Sequence, residues 1–183
     1  MSERLRLFVA LDAPAAVRAS LAAWCSRVAP EGVRRVPAEN LHMTLAFLGA
    51  RAPDDADAVA ALLPQLAAAH PLPTALKTAG ALWLPPRRPG VLAVAIGANE
   101  ELAALHAGVA AALAGAIGFQ PEWRPFRPHV TVGRVARGAR AGARSTDPPP
   151  ALKFAPAALT LYRSQTAAAG ARYTALARVA LSP

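Results

Sequence analysis

Two short segments, His42-Met43-Thr44-Leu45 and His129-Val130-Thr131-Val132, repeat one pattern 87 residues apart in a chain with only four histidines. In a β-strand, residues i and i+2 point to the same face. Each imidazole therefore shares a face with a hydroxyl, while Met43 and Leu45, or Val130 and Val132, turn toward a core. With eight threonines in 183 residues, the chance that two of four histidines carry threonine two positions on is about 1%. A repeat of this kind is what a duplicated fold with two similar halves would leave, each half contributing one such strand.

The rest of the chain fits that reading. Leu5 to Leu11 is an apolar run with Arg6 inside it, expected as a central strand. Asp12 is expected to cap a helix that tolerates Pro14 in its first turn and lines up Val17, Leu21, Trp24 and Val28. Leu41 to Leu48 reads as a strand ended by Gly49. A second helix, from about Asp54 to Ala69, turns Val59, Leu62, Leu63 and Leu66 inward. Strands follow at Thr74 to Leu84 and Val91 to Ile96. A third helix from near Asn99 carries Leu102, Leu105, Val109, Leu113 and Ile117. His129 to Val135 is a further strand, Arg137 to Pro150 a surface loop, and Leu152 to Tyr162 and Tyr173 to Leu181 the closing strands. This order lacks regular βαβ alternation. It predicts an α+β fold of mainly antiparallel sheets, duplicated into two lobes.

Composition permits such a core. Hydrophobic residues make up 54% of the chain, 48 residues being alanine. The larger apolar residues, roughly 28%, still suffice for one domain and exclude a disordered or fibrous chain. Cys25 is the single cysteine, which excludes a disulfide scaffold and a cysteine zinc site; its apolar helical setting predicts a buried thiol. Met1 to Arg6 leads into the first strand without a signal-peptide core, and no uninterrupted apolar run is expected to span a membrane. The expectation is a soluble, cytoplasmic protein without membrane association. The net charge is +9, with only Lys77 and Lys153 as lysines. Arginine suits phosphate or nucleic acid because guanidinium binds planar anions bidentately; a GC-rich coding bias is the competing explanation of the arginine-to-lysine ratio.

Two imidazoles facing each other across a cleft can act as general base and general acid on opposite sides of a phosphorus atom. Thr44 and Thr131 can then donate to the non-bridging oxygens where charge develops. This suits in-line displacement at a phosphodiester without metal or other cofactor. A metal reading needs a third ligand, and Glu39, the closest acidic residue, precedes the strand. No Gly-x-Ser-x-Gly nucleophile motif is present. His106 sits on the shoulder of a helix face and reads as a packing or surface residue; His70 reads as a dipole partner at a helix end. Arg124, Arg127, Arg134, Arg137, Arg140 and Arg144 crowd around the second motif. Phe47 and Arg134 both stand five residues after their histidine, so in a duplicated fold they would flank the cleft as a ring and a guanidinium plane for a nucleobase. Alternatively, Phe47 is core and the arginines form a solvated face.

With these residues in view, the chain resembles the two-histidine (2H) phosphoesterases, and within them the bacterial and archaeal RNA 2′,3′-cyclic phosphodiesterases, also called 2′-5′ RNA ligases. The matching segments are Arg6 to Asp12, Asn40 to Gly49, Arg127 to Val132, and Leu161 to Ser164 followed by Gly170 and Tyr173. The resemblance implies one bilobal domain over residues 1–183, with outer helices and one motif per lobe in a central cleft. It implies hydrolysis of an RNA-terminal 2′,3′-cyclic phosphate to a 2′-phosphomonoester, with His42 as acid, His129 as base and Thr44 and Thr131 holding the phosphate. Run backwards, the site would join RNA ends through a 2′-5′ linkage. Phe47, Arg127 and Arg134 are the expected substrate contacts, RNA 3′ ends or small nucleotide cyclic phosphates the partners, and a monomer the working unit. The alternatives are a 2H enzyme acting on a small cyclic nucleotide or a 2′-5′ oligonucleotide, and a non-catalytic RNA-binding module.

Overall fold

The computed structural model describes residues 3–70, 72–142, 145, 147–167 and 170–181. In chain order these form β1 (Leu5–Asp12), α1 (Ala15–Val28), β2 (Val33–Arg35), a 3-10 turn (Ala38–Asn40), β3 (His42–Arg51) and α2 (Pro53–Ala69). There follow β4 (Leu76–Leu84), β5 (Val91–Ile96), α3 (Glu100–Ile117), β6 (His129–Val135), β7 (Lys153–Phe154), β8 (Ala158–Ala167) and β9 (Gly170–Ala180).

The strands run in the order β7-β4-β5-β6-β3-β1-β8-β9, with β2 also paired to β6, and every pairing is antiparallel. The α+β, mainly antiparallel architecture is as expected. The two sheets, however, are joined: β3 and β6 meet through the single pair Met43 and Val130. That pair is the middle of both motifs. Its antiparallel sense sets His42 on the side of Thr131 and Thr44 on the side of His129, so the seam between the halves is itself the site.

Helix ends follow local chemistry, with one correction. Asn99 caps α3, its Oδ1 accepting from the Leu102 amide at 2.7 Å, and Gly118 ends the helix in the left-handed region at φ 60°. At α2 the Ala52 amide donates to Asp55 Oδ2 at 3.3 Å, and Pro53 occupies the first turn. Asp12 does not cap α1. That helix starts after Pro14 without a side-chain cap, and Asp12 is the buried last residue of β1, drawn inward by donors from other strands.

The inward faces are those that the periodicity predicts. Leu21 and Trp24 of α1, Val59 and Leu63 of α2, and Leu105, Val109 and Leu113 of α3 are each at most 1% exposed; Leu62 and Ile117 are only partly buried at the core's edge. Cys25 is buried as expected, its Sγ 3.3 Å from the Val132 carbonyl, and burial raises its thiol pKa. His70 lays its ring over α3 at Gly108, where a Cβ would displace the imidazole. Against expectation, α3 is long and apolar enough to cross a membrane by length and composition. Alanine supplies much of that apolarity, and its large aliphatic residues pack into the core.

Candidate active site

Strict alternation along β3 would put His42 and Thr44 on one face and Phe47, an odd number of positions on, on the other. Two irregularities in the pairing with β1 alter this. Val9 faces Ala46 while Ala10 faces Thr44, so Leu45 is an extra residue, and Leu48 is a second one. A β-bulge reverses the facing of everything beyond it. Leu45 and Ala46 both go inward, and Phe47 emerges 59% exposed beside His42 and Thr44. β6 repeats the device: Ala93 faces Thr131 and Leu92 faces Gly133, so Val132 is extra, Val132 and Gly133 both go inward, and Arg134 emerges on the side of His129 and Thr131. A Cβ on Gly133 would lie 2.7 Å from the Val33 side chain, so a larger residue at this bulge would have to displace Val33. The fifth-residue equivalence of Phe47 and Arg134 is thus a product of two matching bulges.

The result is a cleft of about 510 Å³ whose lining includes His42, Thr44, Phe47, His129, Thr131 and Arg134. Both imidazoles are held alike. His42 Nδ1 lies 2.7 Å from the Asn40 carbonyl and His129 Nδ1 lies 2.7 Å from the Arg127 carbonyl. A carbonyl only accepts, so each Nδ1 carries hydrogen and each Nε2 is left for proton exchange. His42 also stacks on Phe8, with centroids 4.8 Å apart, and meets the edge of Tyr173 at 5.3 Å. Its pKa is lowered from the ordinary 6.5, first by burial and further by the charges of Arg134 and His129; the Asn40 bond and the Asp12 carboxylate oppose this.

Arg6 and Arg34 complete the cationic wall, and none of the described lining residues is acidic. Arg34 stands directly across from Arg134 in the β2–β6 pair. Like charges opposed in this way destabilise a sheet, and an anion between them relieves the repulsion. Neither residue belongs to the six-arginine stretch. Arg6 carried a weak signal, as a charge inside a central strand; Arg34 carried none, because β2 is three residues long. Of the stretch itself, only Arg134 lines this cleft. Arg124 and Arg127 line a neighbouring groove, and Arg140 lines a separate pocket with Arg87 and Arg88. Arg137 is exposed, and Arg144 lies outside the described residues. The Arg127 carbonyl orients His129, and Arg127 lines the groove that shares Thr44, Phe47 and His129 with the cleft. His106 stacks on Phe126 at 3.8 Å, a packing role.

The other missed residue is Asp12. Its carboxylate accepts from Thr160 Oγ1 at 2.9 Å, Tyr162 Oη at 2.8 Å and Arg178 Nε at 3.1 Å. Burial and this carboxylate push the Tyr162 phenol well above its usual pKa and keep it a donor. The Tyr162 ring stacks in turn on Phe8, so Asp12 braces the aromatic bed beneath His42. Among the described residues, no group of three or more histidine, cysteine, aspartate or glutamate side chains is arranged to hold a metal ion.

An antiparallel α+β fold with paired histidine–threonine strands across an arginine-lined cleft is the arrangement of a 2H phosphoesterase. Residues 13–168 match the family model described as the 2′-5′ RNA ligase superfamily, and the chain belongs to that family. It is 35% identical to the RNA 2′,3′-cyclic phosphodiesterase of Escherichia coli K12, an alignment covering 100% of this chain and 99% of the relative. It is 32% identical to the enzyme of the same name from Thermus thermophilus, over 97% of this chain and 90% of the relative. Among solved structures, E. coli LigT complexed with 3′-AMP superposes with a TM-score of 0.77 at 34% identity, covering 99% of this chain and 100% of that one.

Arg134 gives this site a testable electrostatic signature. Its positive charge helps keep His42 neutral, so Arg134→Met removes a cation and favours the protonated ring. The limb of the kcat/KM profile that reports His42 is expected at higher pH in Arg134→Met than in the parent protein. A limb that stays in place, or moves to lower pH, contradicts the coupling.

Proposed function

We propose that this protein hydrolyses the ribose 2′,3′-cyclic phosphate at an RNA end to a 2′-phosphomonoester by two-histidine acid–base catalysis. One observation carries the reading: both rings are tied through Nδ1 to backbone carbonyls on either side of one seam, leaving two Nε2 atoms for proton transfer. His129 takes a proton from water as the water oxygen bonds to phosphorus. His42 gives a proton to the ribose O3′ as the P–O3′ bond breaks. Burial favours neutral His42, so on this reading the bound anionic substrate raises its pKa and the ring takes up a proton from solvent. Thr44 and Thr131 donate to the non-bridging oxygens, and Phe47 and Arg134 flank the terminal base. Arg127 orients His129 through its carbonyl, and its guanidinium is a substrate contact in the adjoining groove. In reverse, a 5′-hydroxyl in place of water would yield a 2′-5′ linkage. Residues 1–183 act as one bilobal, monomeric unit in the cytoplasm, with no cofactor.

The test is incubation with an RNA ending in 2′,3′-cyclic phosphate. A 2′-monoester is the expected product, and EDTA is expected to leave the rate unchanged. A 3′-monoester, an untouched RNA end, or strong inhibition by EDTA overturns the reading.

A further inference from the structure

Beyond Phe47 the catalytic cleft opens into a second groove of about 570 Å³, which shares Thr44, Phe47 and His129 with it. Phe126, stacked on His106, forms part of its apolar wall. Arg124 and Arg127 supply two positive charges, and Glu122 is the one acidic residue among its described lining. Trp123 stands between the lining residues Glu122 and Arg124 but outside the lining itself; it is 87% exposed, with the Arg124 guanidinium 5.2 Å from its ring centroid. Aromatic rings and arginines along one apolar track are the elements of a single-stranded nucleic-acid site. The rings stack bases without regard to sequence and the guanidinium groups follow the phosphates.

We infer that this groove binds the RNA strand immediately 5′ of the reacting nucleotide, with Trp123 as a stacking platform and Arg124 as a phosphate contact. The inference rests on the function proposed above. Phe47 is the hinge of the argument: it lines both cavities, so the terminal base can occupy the cleft while the preceding nucleotide passes into the groove. A mononucleotide ends before the groove and gains nothing from it.

The experiment compares adenosine 2′,3′-cyclic phosphate with an RNA pentamer ending in the same group. The parent protein is expected to show a KM for the pentamer at least about tenfold lower. Trp123→Ala is expected to raise the pentamer KM about 5–150-fold, the range for one stacked base. Its kcat on the pentamer and both constants on the mononucleotide should not move. Because the side chain is exposed, the fold should not be affected. Equal KM values for the two substrates in the parent protein, or a variant that changes both substrates alike or neither, overturns the inference. If the parent protein cleaves neither substrate, the proposed function has failed. The groove is then judged by binding of a fluorescein-labelled pentamer ending in a 2′-phosphate, which Trp123→Ala should weaken by the same factor; unchanged binding overturns it.

Discussion

Replacing either His42 or His129 by alanine is expected to lower turnover of an RNA-terminal cyclic phosphate by about 10²–10⁴-fold, with the fold retained. Neither ring belongs to the hydrophobic core, although His42 packs on Phe8 and Tyr173, so the fold is expected to survive the loss of either. Each does a separate task in one displacement, and removing one strands the other: a base without an acid leaves O3′ to depart as an alkoxide, and an acid without a base leaves neutral water to attack. The double variant should therefore be scarcely slower than the worse single one, as for residues that act as a unit. The checks are single-turnover rates for the three variants alongside their circular dichroism. Near-parent activity in a folded single variant would sink the two-histidine mechanism.

The second large effect is on stability. Asp12→Ala is expected to destabilise the protein by about 2–4 kcal/mol, since a buried donor left without an acceptor costs about 1–3 kcal/mol. Thr160 is 0% exposed and Asp12 is 5% exposed, so water replaces the lost carboxylate poorly. Arg178 is half exposed and adds little. Most of the loss comes from the Thr160 hydroxyl and the Tyr162 phenol. Asp12→Asn keeps the shape and one acceptor and should lose less. Urea unfolding of the two variants decides this: equal stability of Asp12→Ala and the parent would remove Asp12 as the brace of the His42 bed.

Asp12 also shows how a local reading goes astray. An aspartate before a proline and an apolar helical pattern is a reasonable cap, and nothing within ten residues says otherwise. Its three partners lie in β8 and β9, some 150 residues away in sequence. The arginines teach the same lesson from the other side. Six of them close in sequence suggest one basic patch, yet Arg134, the pair Arg124 and Arg127, and Arg140 line three different cavities. The cleft instead draws Arg6 and Arg34 from β1 and β2. Strand pairing, and not proximity along the chain, decides which charges share a face.

What the residues determined unaided was everything with a period. The two-residue repeat of a strand sets His42 with Thr44 and His129 with Thr131 whatever the tertiary fold, and helical spacing alone marks Leu21, Val59 and Leu105 as core. Tertiary structure decided the rest. It fused two expected sheets at Met43 and Val130, which brings the motifs into one site. It also inserted an extra residue in each motif strand, which turns Phe47 and Arg134 onto the catalytic face. A bulge is defined by the partner strand's register, and a seam by which edges remain to be paired. Neither quantity exists until the chain has folded back on itself.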